Sequence, residues 1–493
     1  MPELVLLNNL WVLIAALLVF SMTVAVGFLE VGELGESVYR SLLKTLLISG
    51  LAIVIMAVVG FNIGFAPTYA GVIGQPFYAP GFFLGGFNPN YASTFGSPWW
   101  SMTPSYFNTG LYSGTYFLFE AAFASVTLAL VGVVVLRKMK LTSFALYSVV
   151  YFLVIWTVPA AWIWNPTGWL ARIGMVDFAG GLVVHGAAGA AGLAILVQIW
   201  REERARGCTT SPATPVRPRP GWLALSVLLL WMGWFGFNPG SVLQFNTEAI
   251  VVVLTTFIAA SASMLSFLAV QYYRGRTLAD LATGVNGTLM GLIIITPLAG
   301  FVSPASALIL GLVGGPLFAL AEGRFARLKW LSDPVGLLPG HLVGGLFGVL
   351  MIPFFAQRAF ASGAGYPNLP NGVFFGGGMP AIHQLGVELL GIVAVMAVVF
   401  TISFVVVATI AKASHGITTS AADPGTTEPT PASDVMSLTD IARPCLALQR
   451  APRDPGDGVA PRPSGRRLVR LKTTGPQEPS LHMAGVTVAS TTG

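Results

Sequence analysis

The sequence DFAGGLVVHGAAG occupies residues 177–189, and DPVGLLPGHLVGG occupies residues 333–345. Each stretch begins with an aspartate and carries a histidine eight residues later, at His185 and at His341, within an apolar run rich in glycine. An ionisable side chain is costly inside a membrane, where it usually marks a path for a solute or a proton. For either residue alone, the alternative is a structural histidine that bonds to a neighbouring helix. Because the pattern occurs twice, we expect a functional pair.

Long apolar runs surround both stretches. Of the 493 residues, 54% are hydrophobic and 9% are charged, and the mean hydropathy is +0.75, a composition that excludes an ordinary soluble protein. A helix that crosses a bilayer needs ~20 mostly apolar residues. The sequence therefore predicts an all-α polytopic membrane protein with about eleven transmembrane helices. The predicted spans are residues 11–29, 46–65, 112–136, 144–164, 178–200, 222–237, 249–270, 281–298, 305–321, 335–355 and 384–411.

Basic residues lie in every second connection between the predicted spans, beginning with Arg40 and Lys44. The intervening connections contain only Arg172 and Arg358. By the positive-inside rule the basic connections are cytoplasmic, so the N-terminus is expected outside and the C-terminus inside. The two histidines fall in the fifth and tenth predicted helices. This odd offset reverses the direction of one half, which predicts inverted-topology repeats with a shared site near the middle of the membrane.

Further expectations concern the regions outside the spans. The composition changes near residue 413, which predicts a membrane domain at 8–412 and a disordered cytoplasmic tail at 413–493. A loop over 66–110, rich in Gly, Pro, Asn and aromatic residues, is expected outside the membrane. Cys208 and Cys445 have neither a CxxC partner nor a histidine at ligand spacing, so no metal or other cofactor is expected. The net charge of +6 is spread over the connections, which argues against a nucleic-acid partner.

Two more segments, WMGWFGFNPGS at 231–241 and ITPLAGFVSP at 295–304, accompany the histidine stretches. Together the four segments resemble signature sequences of the ammonium transporter family, in its Amt branch, and the resemblance covers residues 8–411. It implies two inverted five-helix repeats plus a final helix, a homotrimer with one pore per subunit, and transport of ammonium or ammonia rather than enzymatic activity.

The resemblance also implies an outer site that binds the ammonium cation between aromatic faces and a hydroxyl group, at Phe123, Trp164 and Ser241. A cation over an aromatic face gains about 0.5 to 2 kcal/mol. Without the resemblance, the two aromatic residues are equally explained as core or lipid-facing side chains. Asp177 matches a family aspartate that either caps the fifth helix or contacts the cation. Thr296 either contributes to the outer vestibule or satisfies local backbone groups.

Below the outer site, Phe123 and Phe237 resemble a stacked phenyl gate above a narrow apolar lumen. An apolar constriction penalises an ion by several kcal/mol or more. The family chemistry is therefore deprotonation near the gate, passage of neutral ammonia along the lumen, and a separate route for the proton. His185 and His341 resemble a pair that shares a hydrogen bond and is expected to relay that proton.

Four positions depart from the family pattern. Glu120 stands where glutamine is common, and Pro239 replaces a small residue in GFNPGS. Leu342 replaces the glycine that usually follows the second histidine, and Pro339 lies just before that histidine. We expect these changes to affect rate and selectivity more than the fold, and the last two to alter helix geometry near the second histidine.

The resemblance extends to location and partners. It implies a multi-pass protein of the plasma membrane and allows a PII-type signalling protein as a cytoplasmic partner, although the tail lacks the acidic, glycine-hinged pattern through which family members meet PII. An alternative function from a different class is an ammonium sensor that signals through its tail with little flux. An intramembrane enzyme is not expected, because no nucleophile or set of metal ligands lies near the histidines in the sequence.

Overall fold

The computed structural model describes residues 2–76, 111, 113–135, 138–207, 218–275, 281–331 and 333–419. The described part is almost entirely helical, and it contains ten helices that are long and apolar enough to cross a membrane. A shorter apolar helix spans Leu281–Ile295. The all-α prediction is therefore confirmed at this level. The ten long helices are Glu3–Leu34, Val38–Phe65, Gly114–Val134, Leu141–Ile163, Gly181–Ala205, Pro220–Gly240, Thr247–Tyr273, Pro304–Phe325, Leu338–Phe355 and Gly378–Ala413.

Some of these spans are interrupted, so the regular α-helical segments are more numerous than the spans. A short antiparallel hairpin, β1 (Thr68–Tyr69) and β2 (Ile73–Gly74), follows α3. The α-helices are α1 (Pro2–Leu34), α2 (Val38–Ile55), α3 (Phe61–Phe65), α4 (Ser113–Val135), α5 (Leu141–Val150), α6 (Thr157–Ile163), α7 (Trp169–Arg172), α8 (Ala187–Ala205), α9 (Pro220–Gly240), α10 (Thr247–Tyr273), α11 (Leu281–Ile295), α12 (Pro304–Phe325), α13 (Val343–Phe355), α14 (Arg358–Gly363) and α15 (Gly378–Ala413).

Four π-helical turns account for the interruptions within the described residues. Met56–Gly60 joins α2 to α3, and Tyr151–Ile155 lies between α5 and α6. Gly181–Gly186 leads into α8, and Leu338–Leu342 leads into α13. A π-turn widens the helix locally and occurs often at functional sites. The second pair of turns contains the two histidines singled out in the sequence.

Close packing of α1 against α9 depends on small residues. A Cβ atom added at Gly240 would lie 2.6 Å from the Cβ atom of Ala15, so glycine allows the two backbones to approach. Interfaces of this kind are typical of membrane helices, where packing replaces the hydrophobic effect. Elsewhere, α10 packs on α11 and α12, and α15 packs on α8. Large apolar side chains such as Leu46 and Val393 remain exposed on the surface, as expected for lipid contact.

The observed helices extend beyond most of the predicted spans, and at two places the difference has a local cause. The fifth predicted span was expected to begin at Phe178, whereas the helix begins at Gly181. The reason is Gly180, whose φ of 106° lies in the left-handed region and ends the preceding loop. The predicted span 281–298 is helical only to Ile295, because Pro297 disfavours helical geometry in the residue before it.

Several sequence predictions lie wholly or mainly outside the described residues. These are the loop over 66–110 beyond residue 76, both cysteines, and the tail beyond residue 419. The last helix ends at Ala413, next to the predicted boundary of the membrane domain. Residues 414–419 then pack against the connection between α4 and α5, where the N–H of Lys140 donates to the carbonyl of Ile417 at 2.8 Å.

Candidate functional site

The two histidines predicted as a pair meet at the centre of the described helices. The Nδ1 atoms of His185 and His341 lie 3.1 Å apart, within hydrogen-bonding distance, and their ring centroids are 5.1 Å apart. Both side chains are buried. Within the described residues, the Nε2 atom of His185 has no hydrogen-bond partner. One Nδ1 atom must donate and the other accept, so this pair can hold a shared proton.

Each histidine is positioned by an aspartate that precedes its π-turn. Oδ1 of Asp177 accepts the N–H of Gly181 at 2.7 Å, and Oδ2 accepts that of Leu182 at 2.8 Å. Asp333 repeats this arrangement four and five residues onward, with Oδ1 accepting from Leu337 at 3.0 Å and Oδ2 from Leu338 at 2.8 Å. The carboxylates thus satisfy backbone donors that a helix start leaves open. The eight-residue spacing from aspartate to histidine, which occurs in both stretches, therefore corresponds to the same capping arrangement in the structure.

Asp177 makes two further hydrogen bonds of this kind, from the N–H groups of Gly180 at 3.1 Å and Val183 at 2.9 Å. Burial raises the pKa of its carboxyl group, and the four backbone donors act against that shift. Burial likewise raises the pKa of Asp333, again opposed by backbone N–H groups. Of the two predicted roles for Asp177, the structure contains the helix cap.

Glycines four residues after each histidine allow the two halves to meet. A Cβ atom at Gly345 would lie 2.9 Å from the Cβ atom of His185. A Cβ atom at Gly189 would lie 2.6 Å from the Cβ atom of Leu342. Larger residues at either glycine would therefore push the histidine segments apart. The unusual Leu342 is accommodated because Gly189 faces it.

The other unusual residue of this segment, Pro339, is the second residue of the π-turn Leu338–Leu342. Proline lacks an N–H group, but the N–H groups of a first helical turn have no intrahelical acceptor, so this position tolerates it. Both histidine segments begin with a π-turn. The first histidine segment has this geometry without a proline. The expected distortion near His341 is therefore shared by both segments and does not require Pro339.

Two aromatic rings stack on His185. Its ring lies parallel to that of Phe237, with centroids 5.9 Å apart and planes 13° apart, and to that of Trp234, at 6.0 Å and 23°. The Nε1–H of Trp234 donates to Oγ1 of Thr296 at 3.1 Å, and that hydroxyl donates to the carbonyl of Leu292 at 2.7 Å. Thr296 therefore orients a ring beside the histidine pair.

A second pair of rings continues the row away from the histidines. Phe237 packs on Phe123 with centroids 4.3 Å apart and planes tilted by 31°, and both side chains are almost completely buried. Phe123 in turn contacts the edge of Trp164 at 5.8 Å. The two phenyl rings thus lie between a partly exposed tryptophan and the buried histidines.

Two hydrogen bonds link this aromatic row to the other predicted residues. The Nε1–H of Trp164 donates to the backbone carbonyl of Asp177 at 2.7 Å. The hydroxyl of Ser241 donates to the carbonyl of Phe237 at 2.9 Å, which leaves its oxygen lone pairs available to a cation. The predicted residues therefore form one connected site.

Glu120 lies next to this site, on the same helix as Phe123. It is buried, and its carboxylate interacts with the hydroxyl of Tyr116. Its Oε2 atom has no hydrogen-bond partner among the described residues. A buried carboxylate oxygen without a donor is costly, so it is suited to a bound cation or water.

Sequence reasoning missed Trp234 as a member of the site. Its signal is the spacing in WMGWFGFNPGS, where Trp234 precedes Phe237 by three residues and therefore shares its helix face. Among the described residues no cluster of three or more His, Cys, Asp or Glu side chains has the arrangement of a metal site.

The sequence model of the Ammonium Transporter Family matches residues 10–423. The chain belongs to this family. An ammonium transporter of Mycobacterium tuberculosis is 29% identical over 388 residues, which cover 76% of this chain and 79% of that protein. An ammonium transporter of Bacillus subtilis is 30% identical over 306 residues, or 61% of this chain and 71% of that protein.

Solved structures of ammonium transporter family members share the fold. Mep2 of Saccharomyces cerevisiae superimposes with a TM-score of 0.70 at 24% identity, covering 87% of this chain and 93% of that one. A protein described as a sensor Amt protein gives 0.69 at 25% identity, covering 85% and 96%. Family membership and fold support ammonium transport by a multi-pass membrane protein, and the two relatives compared by sequence are named ammonium transporters.

Proposed function

We propose that this chain conducts ammonia derived from external ammonium through a pore marked by Trp164, Phe123, Phe237, His185 and His341. The observation that carries the proposal is the unbroken row of contacts among these five side chains. Centroid distances from one ring to the next are 5.8 Å, 4.3 Å, 5.9 Å and 5.1 Å in that order. Such a row leads from a partly exposed aromatic surface to a buried pair of titratable groups.

Recruitment of the cation occurs at the outer end of the row. Trp164 and Phe123 offer aromatic faces, and the oxygen of Ser241 accepts one N–H of the ion. Glu120 adds a carboxyl group one helical turn from Phe123, and its Oε2 atom, without a partner among the described residues, offers a further acceptor at this end. Asp177 contributes indirectly, because its backbone carbonyl holds the Trp164 ring while its carboxylate holds the helix start.

The stacked rings of Phe123 and Phe237 select against a charged solute. Stripping water from a cation between two phenyl rings is unfavourable, and neutral ammonia carries no such penalty. Ammonium therefore loses its proton at this gate, and ammonia proceeds. The proton takes a separate route through the histidines.

His185 and His341 serve that route. Nε2 of His185 accepts the proton that ammonium gives up, His185 passes its Nδ1 proton to Nδ1 of His341, and His341 releases its Nε2 proton on the far side. Trp234 and Thr296 keep the His185 ring in the stacked orientation. Beyond His341 the passage is lined by apolar side chains such as Leu29, Met290 and Ile293.

The same reasoning extends to architecture. The short helix Leu281–Ile295 completes eleven membrane helices, arranged as two inverted five-helix repeats and a final helix, Gly378–Ala413. The matched caps of Asp177 and Asp333 support the repeat. The chain forms a homotrimer in the plasma membrane. Its N-terminus lies outside and its C-terminus inside. Residues 8–412 form the membrane domain and 413–493 a cytoplasmic tail, with a PII-type protein as a candidate partner.

A current measurement tests the function. Purified protein reconstituted on a supported membrane should give a transient current with ammonium and none with equal potassium, and ammonia-driven pH changes should appear in vesicles. If neither signal appears while the protein is folded, transport fails and the sensor alternative, binding with little flux, gains support. Ammonium binding by the same sample, followed by thermal unfolding, separates those two outcomes.

A further inference from the structure

The backbone that carries Trp164 is fastened to the hairpin formed by β1 and β2. Trp164 directly follows the last residue of α6, and α6 packs against β2. The indole N–H of Trp162 donates to the carbonyl of Val72, in the turn of the hairpin, at 2.8 Å. The backbone N–H of Trp169 donates to the carbonyl of Gly71 in the same turn at 3.0 Å. The hairpin therefore holds the chain on both sides of Trp164.

Asn165, the residue directly after Trp164, joins this segment to the end of α3. Its side chain is completely buried. Its Nδ2 atom donates to the carbonyl of Gly64 at 3.1 Å and to that of Ala66 at 2.7 Å. A helix end leaves such carbonyl groups without intrahelical donors, and a buried carbonyl needs a donor from elsewhere. The amide of Asn165 thus ties the end of α6 to the end of α3.

The oxygen of the same amide extends the network to the hairpin through Thr167. Oδ1 of Asn165 accepts the N–H of Thr167 at 3.0 Å and its hydroxyl at 2.8 Å. Oγ1 of Thr167 accepts the N–H of Thr68, in β1, at 2.9 Å, and the hydroxyl of Thr68 donates to the carbonyl of Thr167 at 2.6 Å. The amide therefore donates twice and accepts twice, which neither a carboxylate nor an apolar side chain can do.

The indole ring of Trp164 is held separately from its backbone. Its Nε1–H donates to the carbonyl of Asp177 at 2.7 Å, and ring contacts with Phe123 at 5.8 Å and Trp156 at 6.2 Å fix its plane. The bonds of Asn165 go to backbone groups and to Thr167, so they act on the ring through the backbone. A binding group works best when its supporting shell holds it within about 0.5 Å of the productive position.

We propose that Asn165 and Thr167 are positioning residues for Trp164, and that the hairpin sets the affinity of the outer site for ammonium by holding them. This inference rests on the proposed function, because it requires ammonium to be recruited at the Trp164 ring. Removal of the network lets the end of α6 shift, and the ring then meets the cation less closely. The gate and the histidine pair lie on other helices. The network therefore controls the KM for external ammonium and not the maximal rate.

Uptake from the two sides tests the positioning role. Right-side-out and inside-out membrane vesicles that contain the full chain are supplied with ammonium, and the KM and maximal rate are measured. Thr167→Val keeps the shape of the side chain but removes the hydroxyl. It should raise the external KM about threefold and leave the maximal rate and the KM from the inner side unchanged. Thr167→Ser restores the hydroxyl and should return the external KM close to that of wild type. Asn165→Ala removes the whole amide and should raise the external KM about fivefold.

Asn246 provides the matched control. Its amide donates to the carbonyl of Gly363 at 3.1 Å and accepts the N–H of Ala249 at 3.0 Å, but it caps α10. Asn246→Ala should lower the unfolding temperature, as Asn165→Ala does, and should leave the external KM unchanged. The difference in KM between these two variants separates the positioning of Trp164 from a general contribution to stability.

A double substitution supplies the second measurement. In a Trp164→Leu background, Asn165→Ala or Thr167→Val should raise the external KM no further, because the ring through which they act is absent. An unchanged external KM in folded Thr167→Val, or a further rise in the Trp164→Leu background, would overturn the positioning role while recruitment at Trp164 stands. An unchanged external KM in Trp164→Leu alone would overturn recruitment at this ring, and the positioning role with it.

Discussion

His185 and His341 contact each other through the same ring atom, Nδ1, at a distance of 3.1 Å. Each residue comes from a different π-turn, and each turn is capped by an aspartate with matching hydrogen bonds. The contact therefore depends on two separate helix starts that are built in the same way. It leaves the Nε2 atom of His185 free of partners in the described structure.

The use of Nδ1 leads to a prediction that distinguishes two substitutions of His341. An asparagine places its amide near the position of Nδ1, whereas a glutamine places it nearer Nε2. His341→Asn should keep the hydrogen bond to His185 and the fold, but the ammonium-evoked current should fall at least ~10-fold because an amide does not relay a proton. The supported-membrane current measures this loss.

The glutamine variant serves as the control for that experiment. His341→Gln should lose both the current and the contact with His185, and its unfolding temperature should lie below that of His341→Asn. A current of wild-type size in either variant, with potassium still excluded, would remove the histidine pair from the proton route.

The gate gives the second prediction. Phe237 contacts Phe123 on one side and His185 on the other, so its removal opens the row at its centre. Phe237→Ala should admit potassium, because the apolar constriction that penalises ions is lost. It should also destabilise the protein by about 3 to 5 kcal/mol, as for other buried phenylalanines. Potassium-evoked current and thermal unfolding measure the two effects.

Phe237→Leu preserves an apolar plug and is the companion variant. It should exclude potassium as wild type does while conducting ammonium at a changed rate. Potassium exclusion in folded Phe237→Ala would show that selection occurs elsewhere along the pore.

The third prediction concerns Trp164, whose ring does two things at once. It faces the outer end of the row, and its Nε1–H holds the backbone of Asp177. Trp164→Leu should raise the KM for external ammonium several-fold, since a cation–π contact at this exposure is worth about 1 kcal/mol. Trp164→Phe keeps an aromatic face and should show a smaller rise. Equal KM values for wild type and the leucine variant would rule out recruitment at this ring.

A fourth prediction follows from the buried carboxylate of Glu120. Its Oε2 atom has no partner among the described residues, and it lies one helical turn from Phe123. Glu120→Gln preserves size and removes the ionisable carboxyl group, so the KM for external ammonium should rise by about threefold to tenfold while the KM for ammonium supplied from the inner side stays constant. Side-resolved uptake in membrane vesicles checks the difference. A lower external KM in Glu120→Gln would mean that the carboxylate repels or traps the ion instead of recruiting it.

The apolar spans and the histidine pair were predictable because they depend on local composition and on two short motifs. The helix start at Gly181 was not, because it depends on the conformation of Gly180 and on a cap that only the folded backbone displays. The contact of Thr296 with Trp234 was likewise not predictable from the sequence. Its partner Trp234 is 62 residues away along the chain, and periodicity within one helix carries no information about that contact.

The acidic residues near the end of α1 show the same limit. In the sequence, Glu30, Glu33 and Glu36 form one acidic group near the end of α1, with no sign that their roles differ. In the structure two of them share Lys44 and the third faces the pore. Which carboxylate remains available depends on the packing of α1 against α2, so it required coordinates.

The matched caps give the last prediction, which concerns stability. Asp177 accepts four backbone N–H groups, whereas Asp333 accepts two through the matching oxygens and interacts more weakly with those of Gly336 and Val335. Asparagine has one carbonyl oxygen, and its NH₂ group would face further donors, so the substitution leaves buried N–H groups without acceptors. Asp177→Asn should therefore destabilise the protein by about 3 kcal/mol, and Asp333→Asn by less. Thermal unfolding of the purified variants measures both. Because the caps orient the histidine segments, the variant that loses more stability should also lose more ammonium current. Equal losses of stability in the two variants would contradict this account of how each histidine is held.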